Sequence, residues 1–240
     1  MTPTLEPHRP PAAATRRVYG LPAALARTIT AFPVASAAII LTLLANPATH
    51  ARGESLLAED HLVENFTFIA YFIAAGLGAA WALRLRRDGS TRQALGIAAI
   101  GAICFGLGME EISWGQRVLH THWPSLFGLE NVQAESNLHN IGVLHDWSSW
   151  YPCVLGVVAL VAIYSHTRRH GDRTGLPSLL LPYAWVVVAF SAYDNFTDWV
   201  PVNMTFDTLI GTMDELNEML VAFAFALGLW LAMRRETRQR

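Results

Sequence analysis

The chain has 240 residues, 52% of them hydrophobic and only 15% charged, with a mean hydropathy of +0.30. Soluble globular chains are about a quarter charged, so an ordinary soluble protein is excluded and the chain reads as an integral membrane protein. All 17 basic side chains are Arg, which excludes lysine Schiff-base chemistry. The net charge of −2 argues against a nucleic-acid partner, and two cysteines are too few for a disulfide framework or a cysteine-built zinc site.

A helix needs about 20 mostly apolar residues to cross the hydrocarbon core. Residues 1–28 are rich in Pro, Ala and Arg and read as a disordered tail with a short interfacial turn. "TRRVYG" at 15–20 is similar to a twin-arginine signal and "THA" at 49–51 to a cleavage site. The apolar run begins too late after the arginine pair, so a retained first helix is expected at 29–47. The second helix, 62–83, opens on "AEDHLVENFTF", where Asp60 and Glu64 share a face by their spacing of four. The third, 94–113, closes on "GLGMEEISWGQR"; its acid-free stretch from Ala94 to Met109 is only 16 residues, about 24 Å, which draws Glu110 and Glu111 toward the bilayer.

Segment 114–148 is a long connection. After "HTHW" and two chain breakers it regains helical spacing from Asn131 to Leu144, and Glu135 and His139 fall on one turn. This piece is expected to be a lid or re-entrant helix over the helix ends. Further helices follow at 149–165, 177–196 and 210–233, with a short tail at 235–240. The last helix has only 15 acid-free residues, Met219 to Met233, so "MDELNE" with Glu215 and Glu218 must lie partly within the membrane. The expected fold is therefore all-α, an integral membrane bundle of six transmembrane helices occupying 29–234 and capped by a short extracytoplasmic lid.

Six crossings place 15 of the 17 arginines on one side, which is cytoplasmic by the positive-inside rule, together with both termini. Fifteen of the 19 carboxylates fall on the other side or at the outer helix ends. The charge thus divides into about −13 outside and +11 inside. Acidic residues contribute little to topology, so the outer charge needs another cause. For Glu54, Glu59, Glu130 and Asp207 a solvated helix end suffices. For Glu64, Glu110, Glu111, Glu215 and Glu218 the depth is costly and points to an interior site.

Carboxylate and imidazole groups converging from several helices are how bundle metal sites are built. Glu135 and His139 are the expected ligands, with one of Glu110 and Glu111 a ligand and the other a general base. Glu64, Glu215 and Glu218 would complete or orient the site, and Trp114, Gln116 and Arg117 would contact substrate. Mixed Glu/His donors suit Zn, Mn or Fe, and all-oxygen donors suit Ca or Mg. Such a divalent-metal site would serve a hydrolase acting on a lipid or lipid-linked substrate from the bilayer. A cation or proton transporter would use the same acids, but the cytoplasmic halves of the helices are almost wholly apolar. A non-catalytic structural or assembly role is the third reading. Oligomeric state is not encoded in any of these features.

The run "GMEEISWGQR" followed by "NVQAESNLHN" resembles an uncharacterised family of bacterial polytopic inner-membrane proteins that pairs an EEISWGQ-type motif with an N-x-Q-x-E-x-x-L-H-N motif. The resemblance rests on Glu110, Glu111, Ser113, Trp114, Gly115 and Gln116, then on Asn131, Gln133, Glu135, Leu138, His139 and Asn140. It implies a bacterial inner-membrane location and a site, without implying a reaction. Glu110, Glu111 and Arg117 are also similar in kind to the paired-glutamate motif of the membrane-embedded CAAX-processing protease and bacteriocin-immunity family. The Arg comes two residues later than in that family, however, and His139 and Asn140 are adjacent where its later motif spaces them four apart.

Overall fold

The computed structural model describes residues 17–58, 61–116, 150–170, 177–197, 199–200 and 209–239. Among the described residues the chain is all-α apart from a hairpin of two-residue strands, Arg17–Val18 with Leu21–Pro22 (β1, β2). The helices are α1 Ala23–Ala45, α2 His50–Leu57, α3 Leu62–Arg87 and α4 Thr91–Glu111, followed by α5 Trp150–His170, α6 Leu181–Thr197 and α7 Asp214–Gln239. Among the described residues six segments are long and apolar enough to cross a bilayer, one of them containing both α2 and α3. Their outward faces carry Ile39, Ile73, Leu95, Ile103, Val161 and Trp185 at about half exposure or more. A soluble protein rarely exposes so much contiguous apolar surface, whereas a bilayer solvates it.

The expected six spans are present, with two corrections at the edges. The first helix starts at Ala23, six residues before the expected boundary, and the tail expected to run to residue 28 is ordered from the hairpin onward. Leu21 is fully buried there. Tyr19 and Gly20 take positive φ values of 54° and 71° to close the turn. Tyr19 then clamps three elements. Its hydroxyl hydrogen-bonds Ser178 Oγ at 2.7 Å and accepts from the Ser178 N–H at 3.0 Å, while Arg235 of α7 lies 4.2 Å above its ring. Composition marked this stretch as tail because the anchoring partners lie some 160 to 220 residues away.

The second correction is at α3, which continues to Arg87. Gly89, at φ 80°, supplies the left-handed residue past the helix, and Ser90 N–H bonds Leu85 O at 2.9 Å, closing the last turn. Arg84, Arg86 and Arg87 sit in that turn, where a cation is favoured by the helix dipole. The chain then reverses into α4, which packs on α3 through glycines. A Cβ on Gly78 would lie 2.9 Å from Gly101 Cα, and one on Gly101 3.3 Å from Ala75 O. The tightest pair in the molecule is therefore α3 with α4.

α7 is the central helix, packed against both α3 and α6. α5 packs on α6, and α1 closes on α6 through Phe32, whose ring stacks on Tyr183 and on Phe223 of α7 at centroid distances of 6.4 and 5.5 Å. Arg84, Arg168 and Arg235 cluster at one end of the bundle, at the C-termini of α3, α5 and α7. The opposite end receives the N-termini of those helices and the C-termini of α4 and α6.

Candidate functional site

The carboxylate end is built from three helix termini, two N-terminal and one C-terminal. Glu64 lies in the first turn of α3, and Asp214 and Glu215 in the first turn of α7, with Glu218 one turn further in. A helix N-terminus carries partial positive charge and stabilises a nearby acid, so Glu64, Asp214 and Glu215 have a local electrostatic reason to be there. Glu111 is the last residue of α4, where the dipole is adverse. It hydrogen-bonds Glu218, with Glu215 and Glu64 also within electrostatic reach. Glu64 is buried, at 6% exposure. The pairing brings two carboxyl groups from different helices, Glu111 of α4 and Glu218 of α7, into direct hydrogen-bonding contact.

Two tyrosines complete the group. The Tyr151 hydroxyl, at the start of α5, donates to Glu218 Oε1. Tyr71 of α3 is fully buried near Glu111, Glu218 and Cys104, and it also neighbours Tyr151. Beside them α6 and α7 are tied by polar groups. Asn217 Nδ2 donates to Ser191 Oγ at 3.3 Å, and Asn195 Nδ2 to Ser191 O at 2.6 Å. All three residues are buried, and Asn217 Oδ1 has no hydrogen-bond partner among the described residues.

Four of the sequence-predicted residues, Glu64, Glu111, Glu215 and Glu218, thus come together from α3, α4 and α7. Glu110 does not join them. Its Oε1 accepts from Trp114 Nε1 at 2.5 Å on the exposed side. Trp114 was expected among the substrate contacts, just past a third helix running to residue 113. Instead α4 ends at Glu111, and Ser113 and Trp114 adopt left-handed φ values of 47° and 54° before Gly115 at 88°. Non-glycine residues rarely hold that conformation, and such strain gathers at functional sites. Gln116 follows this turn and is half-buried. Arg117, Glu135 and His139 lie outside the described residues, as does the whole expected lid.

Tyr71, Tyr151 and Asn217 were not singled out from sequence. A signal existed for Tyr71, because Glu64, Thr67 and Tyr71 recur at i, i+3 and i+7 on one face of an otherwise apolar helix. Tyr151 sits beside Trp147 and Trp150, where an interfacial aromatic belt is the ordinary reading.

A groove of about 570 Å³ runs beneath this group. Its lining includes Ile100 of α4, Leu155 and Ala159 of α5, Val187 of α6, and Leu220 and Ala224 of α7. α4 and α5 barely touch, which leaves the groove open between them.

Among the described residues no group of three or more His, Cys, Asp or Glu side chains is placed to hold a metal ion. A metal at this end would therefore draw on donors beyond the described carboxylates, and Glu135 and His139 are the expected ones. No family model, no curated protein and no solved structure matches the chain.

Proposed function

We propose that the protein is a membrane hydrolase that cleaves an ester of a lipid or lipid-linked substrate, using Glu111 and Glu218 as an acid–base pair on the extracytoplasmic side. The observation that carries this reading is the position of Glu111. It sits at an adverse helix terminus, hydrogen-bonded to a second carboxyl and facing two more. Such an arrangement works against stability, and local violations of this kind collect at functional sites.

The chemistry follows from the hydrogen bonds. Glu218, oriented by the Tyr151 hydroxyl, takes a proton from water as the water oxygen bonds to the ester carbonyl carbon. The carbon–oxygen bond to the leaving group breaks, and Glu111 delivers its proton to the departing oxygen. The proton gained by Glu218 then returns to Glu111 across their shared hydrogen bond, which resets the pair. Glu218 takes the base role because the Tyr151 hydroxyl holds its carboxyl in place. Where Glu135 and His139 bring a divalent cation to this end, the ion would polarise the carbonyl, and the roles of Glu111 and Glu218 toward the proton stand unchanged.

The test is lipid turnover by the full chain in vesicles containing neutral and anionic glycerolipids, followed by mass spectrometry. Wild type is expected to release fatty acid or headgroup product. Glu111→Gln and Glu218→Gln should each slow release by about 10²- to 10⁴-fold, and the exposed Glu54→Gln should leave it unchanged. Turnover unaffected by either substitution overturns the proposal. So does proton or cation flux that those substitutions abolish while lipids stay intact, which would make the protein a transporter.

A further inference from the structure

We infer that the groove between α4 and α5 seats one acyl chain of the substrate, and that this substrate carries an uncharged or amine-bearing, hydrogen-bond-donating head rather than an anionic one. The inference rests on the proposed lipid-directed function and names the class of lipid.

Three observations support it. First, the groove and the polar group share their helices. α4 carries Ile100 and ends in Glu111, α5 carries Leu155 one turn beyond Tyr151, and α7 carries Leu220 two residues beyond Glu218. A chain lying in the groove would therefore place its polar end against the carboxyl pair. Second, the dimensions fit. Along α7 the lining runs from Leu220 to Ala232, about 18 Å at the helical rise, close to the roughly 15 Å of one hydrocarbon leaflet. The volume of about 570 Å³ lies in the range of small-molecule sites, roughly 300–1,000 Å³. Third, the described groups above the groove are rich in acceptors. Glu64, Glu111, Glu215 and Glu218 gather there. A hydroxyl or ammonium head adds no negative charge to this set, whereas a phosphate or carboxylate head adds to the repulsion.

The experiment uses two photoreactive probes with the same diazirine-bearing acyl chain, a monoacylglycerol and the corresponding fatty acid. Each is added to the full chain in detergent, and crosslinks are mapped by peptide mass spectrometry. The monoacylglycerol should label the α5 and α7 segments around Ala159 and Ala224 at least five-fold more than the outward-facing Ile69 and Ile73 of α3. Excess unlabelled monoacylglycerol should suppress that labelling. Ala159→Phe and Ala224→Phe, made separately and each checked by thermal unfolding, should remove it by filling the groove. The fatty acid should label the groove several-fold less.

Uniform labelling of all helices, or full labelling in a folded groove-filled variant, overturns the groove assignment. Equal labelling by the two probes overturns the headgroup assignment, and crosslinks to a second copy of the chain in place of the probe make the groove a subunit interface. The two proposals fail separately. Specific labelling without any lipid turnover removes the hydrolase and leaves the lipid site. Turnover of short-chain esters without groove labelling removes the acyl site and leaves the hydrolase.

Discussion

Glu111 and Glu215 are chemically identical and lie in one cluster, yet their helix ends give them opposite expected effects. Glu215 sits in the first turn of α7, where the dipole favours its charge, and Glu111 at the last residue of α4, where the dipole opposes it. Glu111→Gln keeps the shape, removes a carboxyl facing three others, and replaces a proton-dependent hydrogen bond with one an amide can make. Its expected effect is a gain of about 1 kcal/mol, or roughly 2–4 °C in Tm for a chain of this size, alongside loss of activity. Glu215→Gln should lose about 0.3–1 kcal/mol. Thermal unfolding in detergent, followed by tryptophan fluorescence, measures both. A fall in Tm for Glu111→Gln would mean that its carboxyl is structural.

The helix pair that carries Glu64 and Glu111 depends on a backbone approach that only glycine allows. At Gly78 an added Cβ would meet the Gly101 backbone at 2.9 Å, a neighbour that cannot swing aside. Gly78→Val should cost about 1–3 kcal/mol by overpacking, and it should lower activity further by moving α4, and with it Glu111, away from α3. Gly76, two residues away, has nothing within 4 Å of its notional Cβ. Gly76→Ala should be neutral or stabilise by up to about 1 kcal/mol, since alanine is the better helix former. Equal destabilisation by both substitutions, read by thermal unfolding, would show that close packing is not the reason for glycine at 78. In the sequence both glycines sit in the same apolar run. The contrast between them comes only from which face of α3 meets α4.

Among the described residues most arginines and most carboxylates occupy opposite ends, and the positive-inside rule predicts a cytoplasmic arginine end. Single reporter cysteines test that orientation. Cys104 is buried, and Cys153 is removed first by Cys153→Ser. In intact cells an impermeant maleimide should label Ser55→Cys in α2 and spare Thr91→Cys at the start of α4 until the membrane is permeabilised. The reverse pattern would invert the topology and move the site to the cytoplasmic side.

Some of this was legible in the sequence because it depends on local composition. Apolar run length set the number of spans, arginine spacing set their alternation, and the short acid-free stretches at Ala94–Met109 and Met219–Met233 placed Glu111 and Glu218 at the helix ends. The pairing of Glu111 with Glu218, the diversion of Glu110 to Trp114 and the recruitment of Tyr71 and Tyr151 were not legible. Each depends on helix rotation and on which helices are neighbours. Adjacent residues on a helix point about 100° apart, so "EE" alone does not reveal which glutamate faces inward. Periodicity alone misled at Trp114, where the chain leaves the helix through two left-handed residues. Composition also misread the segment before α1, whose order comes from Ser178 and Arg235 far along the chain. The sequence by itself determined that the acids gather at one end of a membrane bundle. Tertiary packing decided which of them pair, because close packing of α3, α4 and α7 brings carboxyl groups together that the chain keeps up to some 150 residues apart.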